Sequence, residues 1–348
     1  MDAVVCNDVW KLYTRSNSVP AQGIVEELRQ GLSHLEAKAK YGCHVAVAGV
    51  SFALPPGRTF CIMGLSGSGK STLLRHLNRL IEPSAGIVLV NGEDIGSKSA
   101  FELRKLRAES VSMVFQDVAL WPHMTVRQNV GYGLEVRGVE RSQREQTADR
   151  MLDLVKLSGW GDRYSHELSG GMKQRVGLAR ALATDAGILL LDEPFSALDP
   201  IIRDELQLQF QQIIREFNKT AVFITHDLAE AIRLGDVIAI MKDGVFEQIG
   251  TAEQVLLNPA TEYVRRFVKS VPRIDFVKAA AIMEPLLGRG PAPDPSDLTV
   301  LDTTHISEIL DLASRSPPFN SIHVKSDSGD VIGQISLGRL LATVRTAV

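Results

Sequence analysis

The sequence predicts an α/β fold: a buried sheet wrapped by helices, interrupted by a helical subdomain and followed by a small C-terminal α+β domain. Three observations carry this. Short apolar runs alternate with longer helical stretches through the first two thirds of the chain. Ile188–Leu191 is apolar at every position, as a strand buried on both faces should be. The pattern turns mainly helical between Val118 and Leu168, and its character changes again past about Asn258.

Taken in order, residues 21–40 read as one helix, polar overall, lying before the core. Thr59–Met63 reads as a strand, followed by a glycine-rich turn and a helix over Lys70–Leu80. Gly86–Val90, Val111–Phe115 and Ala221–Thr225 are further strands. Val237–Met241 and Val245–Ile249 flank Lys242-Asp243-Gly244, a hairpin signal. Gly288–Asp297, rich in Pro and Gly, reads as a linker. Ile306–Ala313 reads as a helix. Ser321–Val324 and Val331–Ile335 read as strands around Asp327-Ser328-Gly329, with a final helix behind them. The expected domains are 1–270, with a helical insertion at 21–40 and a helical subdomain at 117–168, and 271–348.

Composition narrows the function classes. A chain of 348 residues, 45% hydrophobic and 23% charged, can bury one large core and a small one. A net charge of −3 lacks the basic excess of a nucleic-acid binder, so no nucleic-acid partner is expected. Cys6, Cys43 and Cys61 are scattered without metal-ligand spacing and read as small buried residues of a reducing compartment. Met1–Lys11 has no basic region followed by an apolar run, so no signal peptide is expected. No stretch reaches the ~20 apolar residues of a spanning helix. The chain is therefore expected to be soluble, or peripheral to a membrane built by something else.

Gly64-Leu65-Ser66-Gly67-Ser68-Gly69-Lys70-Ser71 fits the phosphate-binding loop G-x-x-x-x-G-K-[ST], with Thr72 next in the helix. Glycines let the backbone curl so that its N–H groups face phosphate oxygens, and a helix start adds its positive end. Lys70 is placed to reach the β- and γ-phosphates, and the Ser71 hydroxyl to bind Mg²⁺. The preceding apolar strand and following helix are the right context. The loop alone says nucleotide, without separating kinases, GTPases and transport ATPases.

Leu168-Ser169-Gly170-Gly171-Met172-Lys173-Gln174-Arg175, ahead of a good helical run, settles the class: it resembles the signature of the ABC ATPases. That resemblance implies that Ser169, Gly170 and Gly171 bind the γ-phosphate of an ATP held by a second copy of the chain. It also implies roles for other residues. Asp192, at the end of Ile188–Leu191, would hold Mg²⁺ through water, and Glu193 would act as general base. Gln116 would touch Mg²⁺ and the lytic water. Asp199, in Ser196-Ala197-Leu198-Asp199, would cross the dimer interface. His226 would contact the γ-phosphate and orient Glu193. An aromatic residue is expected to stack on adenine: Tyr41 is the first choice, and Tyr13 the rival because residues 14–40 look like an insertion.

The resemblance covers residues 1 to about 270, with each ATPase motif intact. Chromosome and repair ABC proteins separate their two halves by long coiled coils, whereas Gln116 and Ser169 are close in this chain. Translation-factor ABC proteins carry two cassettes, and this chain has one. A transport subunit without fused membrane helices favours an importer.

Gly64–Thr72, Leu77-Asn78-Arg79-Leu80-Ile81-Glu82-Pro83 and Leu120-Trp121-Pro122-His123-Met124-Thr125-Val126 look like the glycine betaine/proline/choline importer ATPases. So do Gln30-Gly31-Leu32-Ser33 and Phe195–Pro200. Pro194 and Asp117 depart from that pattern, and importers of trimethylamine N-oxide and histidine have similar ATPases. Ile306–Val344 looks like one CBS repeat, a regulatory module that works in pairs. The resemblance thus implies a P-loop ABC ATPase core with a CBS-like domain. It implies a head-to-tail homodimer with ATP and Mg²⁺, on the cytoplasmic face of the inner membrane. Transmembrane permease subunits and an external solute-binding protein would complete the complex.

Overall fold

The computed structural model describes residues 1–14, 20–269, 271–286, 297–316, 319 and 321–345. The chain divides into two compact units, Met1–Glu247 and Gln248–Val348.

A six-stranded sheet, in the first unit but for the last three residues of Val245–Gly250, runs in the order Val245–Gly250, Val237–Lys242, Thr59–Met63, Thr220–Thr225, Ile188–Asp192, Val111–Val114. Its five strands from Val237–Lys242 to Val111–Val114 pair in parallel. Thr59–Met63, Ile188–Asp192 and Thr220–Thr225 are buried at every residue, which is why they are apolar except at their ends. Met63, Asp192 and Thr225 close these strands at their C-terminal ends, where open α/β sheets bind ligands.

A second, antiparallel sheet runs Cys43–Leu54, Val4–Thr14, Ala85–Val90, Glu93–Asp94. One apolar cluster joins the sheets: Val4, Val47 and Val88 pack with Ile62, Leu74, Leu190 and Val222. Phe52 stacks on Phe60 with ring centroids 4.5 Å apart.

Residues 21–40 form two helices, Ala21–Arg29 and His34–Tyr41, where one was expected. Gly31 at φ +107° breaks the run. Ser33 then opens a new helix through a capping box with Glu36. The insertion is also less polar in effect than its composition, since Ile24, Val25, Leu28 and Ala37 are buried against Trp10 and Leu12. The helix expected over Lys70–Leu80 ends at His76, and Arg79 (φ 50°) turns the chain away. Arg79 then donates to the carbonyls of Ile95 (3.1 Å) and Lys98 (2.7 Å).

Val126–Val136 and Arg141–Leu154 form the helical subdomain and pack with Gly170–Ala183. Buried Asn129 accepts from Trp121 N–H (2.7 Å) and donates to Trp121 O (3.1 Å), fixing the loop after Gln116.

The second unit begins at Gln248, earlier than the expected residue 271. The Gln248 side chain donates to Asn258 O (3.1 Å) and accepts from Ala260 N–H (2.8 Å), which ties the short helices Ala252–Leu257 and Glu262–Val268 to it. Its sheet runs Glu284–Pro285, Val331–Ser336, Ser321–Lys325, Leu298–Leu301, with helices Ile306–Arg315 and Leu337–Arg345. The expected helix–strand–strand–helix is present. Leu298–Leu301 adds a parallel neighbour to Ser321–Lys325. The expected linker lies outside the described residues except for Asp297, whose carboxylate accepts from Ser321 N–H (3.2 Å) and lies 3.0 Å from His323 Nε2. Among the described residues no helix is long and apolar enough to cross a membrane.

Candidate functional site

The loop between Met63 and Lys70 works only with glycine at two places. Gly64 (φ +155°) and Gly69 (φ +102°) adopt conformations closed to most side chains. A Cβ would stand 2.2 Å from Met241 O at Gly64 and 2.0 Å from Ala46 O at Gly69. The curl brings Lys70 Nζ back onto the loop, where it donates to Gly64 O (2.8 Å) and Leu65 O (2.9 Å). Burial pulls the Lys70 ammonium below its ordinary pKa, while Glu193 and Asp192 push it back up.

One residue on, Ser71 Oγ donates to Asp192 Oδ1 at 2.9 Å. The other carboxylate oxygen, Oδ2, is buried, has no hydrogen-bond partner and lies 3.9 Å from the Arg75 guanidinium. Burial pushes the Asp192 carboxyl up from its ordinary pKa, and the Ser71 hydroxyl and Arg75 oppose that. Glu193 follows with a left-handed backbone, φ 49°. Its Oε2 sits 3.2 Å from His226 Nδ1.

These groups share a cavity of about 540 Å³. Leu65, Ser66, Gly67, Gly69, Lys70, Ser71, Thr72, Gln116, Glu193 and His226 line it, as does Tyr13 with His44 and Ala46. Gly64 and Ser68 shape the loop beneath, with Ser68 Oγ buried. Asp192 reaches the site through Ser71.

Tyr41, the first choice for adenine, is not at the cavity. Its hydroxyl donates to Glu27 Oε1 (2.6 Å), and Lys40 Nζ stands 4.9 Å from its ring centroid. Tyr41 closes the helix of the insertion and packs with that insertion's core. Tyr13 is at the cavity because its strand pairs it with His44.

Ser169, Gly170, Gly171 and Asp199 do not line this cavity. Ser169 caps the helix Gly170–Ala183 by accepting from Met172 N–H (3.3 Å). Ser169, Gly170 and Asp199 are exposed. Buried Gln174 links this helix to the next loop, donating to Ser196 Oγ (3.1 Å) and accepting from Ala197 N–H (2.9 Å).

His44, Ala46 and Arg75 were not singled out from sequence, and Gln174 only as a member of the signature. Strand register and helix packing place them, and no local pattern announces either.

The donor set fits a hard divalent cation. A carboxylate with a bare buried oxygen is bonded to a hydroxyl that lines the cavity, an amide lines the same cavity, and such a cation takes oxygen ligands completed by phosphate and water. The arrangement can bind a triphosphate, hold a cation beside it and polarise a water at Glu193: it defines a nucleotide-hydrolysing cassette.

A model of the ABC transporter family matches residues 47–196. The chain is 43% identical to the glycine betaine transport ATP-binding protein OpuAA of Bacillus subtilis, covering 93% of this chain and 78% of that one. It is 38% identical to the trimethylamine N-oxide transport system ATP-binding protein TmoW of Pelagibacter ubique, covering 98% and 97%. Its fold matches a dimeric post-hydrolysis state of the ATP-binding cassette MJ0796 bound to ADP and Pi, with a TM-score of 0.62 and 28% identity, over 72% of this chain and 98% of that one. The chain belongs to the ATP-binding subunits of ABC transporters, in the glycine betaine/proline/choline group. It is an ABC-type ATPase.

Proposed function

We propose that this ATPase drives uptake of a small quaternary or methylated amine, with glycine betaine the first solute to test. Support for the solute comes from the relatives' names, since an ATPase does not touch the cargo. Trimethylamine N-oxide is the second reading, favoured by the near full-length likeness to TmoW.

The observation that carries the mechanism is a division of the site. One cavity holds Lys70, Ser71, Gln116, Glu193 and His226, while exposed Ser169, Gly170 and Asp199 and half-buried Gly171 stand outside it. Each chain thus carries two complementary half-sites. A second copy packed head to tail would complete both, with Ser169 and Gly171 of one chain facing Lys70 of the other. Such a dimer fits the dimeric cassette MJ0796.

Within the sandwich, Tyr13 stacks on adenine and the loop Gly64–Lys70 wraps the phosphates. Lys70 exchanges its two carbonyl bonds for phosphate oxygens. Ser71, Gln116 and Asp192 would hold Mg²⁺, which when bound neutralises the charge on the β- and γ-phosphates. Glu193 takes the proton of the attacking water, and His226 holds that carboxylate in place. Closure pulls on the helical subdomain, Val126–Leu154, and through it on membrane permease subunits supplied with solute by an external binding protein. The chain would act at the cytoplasmic face of the inner membrane, with the CBS-like sheet of residues 284–336 as a regulator.

Glu193→Gln tests this. ATP binding is expected to survive, turnover to fall at least about 100-fold, and a stable dimer to accumulate with ATP in size-exclusion chromatography. Undiminished turnover sinks the assignment. Uptake of labelled glycine betaine in cells, with trimethylamine N-oxide, choline and histidine as competitors, decides the solute.

A further inference from the structure

His226 is mostly exposed, with a side-chain exposure of 65%, and its backbone sits between a buried strand end and a short helix. Something must hold it against Glu193. Thr225, fully buried, ends the strand. Its hydroxyl accepts from Asp227 N–H (3.0 Å), closing the turn around His226, and donates to Glu230 Oε2. Asp227 Oδ1 caps the following helix, Leu228–Leu234, at Ala229 N–H (2.8 Å).

Glu230 has a second partner outside this turn. Its Oε1 accepts from buried Gln207 Nε2 at 2.8 Å, and Gln207 Oε1 accepts from Arg233 at 2.9 Å. Gln207 lies on Pro200–Glu216, the helix that Asp199 opens by capping Ile202 N–H (3.1 Å). Arg203 of the same helix donates to Leu198 O (2.9 Å), and Gln211 donates to Arg233 O (2.8 Å). Glu230, Arg203, Glu193 and His226 border a common cavity of about 30 Å³.

The exposed loop that ends at Asp199 and the turn that carries His226 are therefore bolted together by polar side chains. We infer that Glu230 is a positioning residue: through Thr225 on one side and Gln207 on the other, it makes the placement of His226 against Glu193 depend on the helix that Asp199 opens. A contact made at Asp199 is then felt at His226. The inference rests on the roles proposed above for Glu193, His226 and Asp199.

The bond has a direction that can be reversed. In Glu230→Gln the amide cannot accept from both Thr225 and Gln207, so one buried donor loses its partner. Adding Gln207→Glu restores each bond: Thr225 donates to the new amide oxygen, the amide donates to the new carboxylate, and that carboxylate still accepts from Arg233. For the full chain, Glu230→Gln is expected to lower kcat about tenfold with the ATP KM within about twofold, and the swap to recover most of the loss. Gln207→Met, which breaks the bond from the other side, should match Glu230→Gln.

Wild-type kcat in Glu230→Gln, or a loss that the swap leaves unrepaired, overturns the inference. Full turnover in Glu193→Gln would remove the reading of the site beneath it. An inactive Glu193→Gln beside a fully active Glu230→Gln removes this inference alone.

Discussion

The helix beginning at Lys70 has glycines in the loop before it and the helix beginning at Gly170 has them in its first turn, yet their surroundings are opposite. Around Lys70 the chain closes in: Gly64 and Gly69 have backbone carbonyls where a Cβ would be, and the lysine ammonium is held by its own loop. Around Gly170 there is open space, with nothing within 4 Å of where a Cβ would stand. The first glycines serve this chain's own fold. The last has open space around it, which under the proposed head-to-tail dimer the partner's nucleotide would fill.

Substitution should separate the two sharply. Gly69→Ala must move Ala46 O or abandon φ +102°, so it is expected to cost several kcal/mol and to abolish nucleotide binding. Gly170→Ala should leave the folding free energy unchanged to within about 0.5 kcal/mol while lowering hydrolysis. Thermal melts of both proteins check this, and equal destabilisation would erase the contrast.

The closed-in character of the Lys70 helix also has a pH signature. His76, its last residue, is fully buried, with Nδ1 2.7 Å from Ile81 O. Burial pulls its pKa from 6.5 to about 4. Between those values the unfolded chain binds a proton that the folded chain refuses. Stability from this residue is therefore complete above about pH 6.5 and lost as pH falls towards 4, with a full swing of about 3 kcal/mol. Denaturant titrations at pH 7 and pH 5 should show the wild type losing about 2 kcal/mol more than His76→Gln. Parallel losses would show that His76 already titrates normally.

How much of this was legible follows the same division. Residues 188–191 and 60–63 were readable because burial on both faces leaves no polar position between their ends. The phosphate loop was readable because its glycines answer to local geometry. The helical insertion was misread as one helix because Gly31 and Ser33 act through a φ angle and a cap, which helical periodicity does not register. Tyr13 and His44 meet by strand pairing across a long insertion, so the nearer Tyr41 looked better placed. The boundary at Gln248 falls inside the strand Val245–Gly250, where no change of composition marks it.

The two tyrosines give the smallest and finest test. Tyr13→Ala should weaken ATP binding about tenfold at unchanged stability, since aromatic stacking on a base contributes about 1–3 kcal/mol. Tyr41→Ala should do the reverse, losing about 1 kcal/mol of stability with its bond to Glu27 and leaving ATP affinity intact. Calorimetric titration with a non-hydrolysable ATP analogue, read beside a melt, distinguishes them; an ATP-binding defect in Tyr41→Ala would restore the sequence-based choice.

Glu193 occupies the left-handed region at φ 49°, a conformation that glycine adopts freely and glutamate resists. Its backbone and its side chain therefore have opposing interests. A chain improved only for endurance to heat would drift towards glycine there, and under the role proposed for Glu193 would gain robustness at a position where that silences the motor.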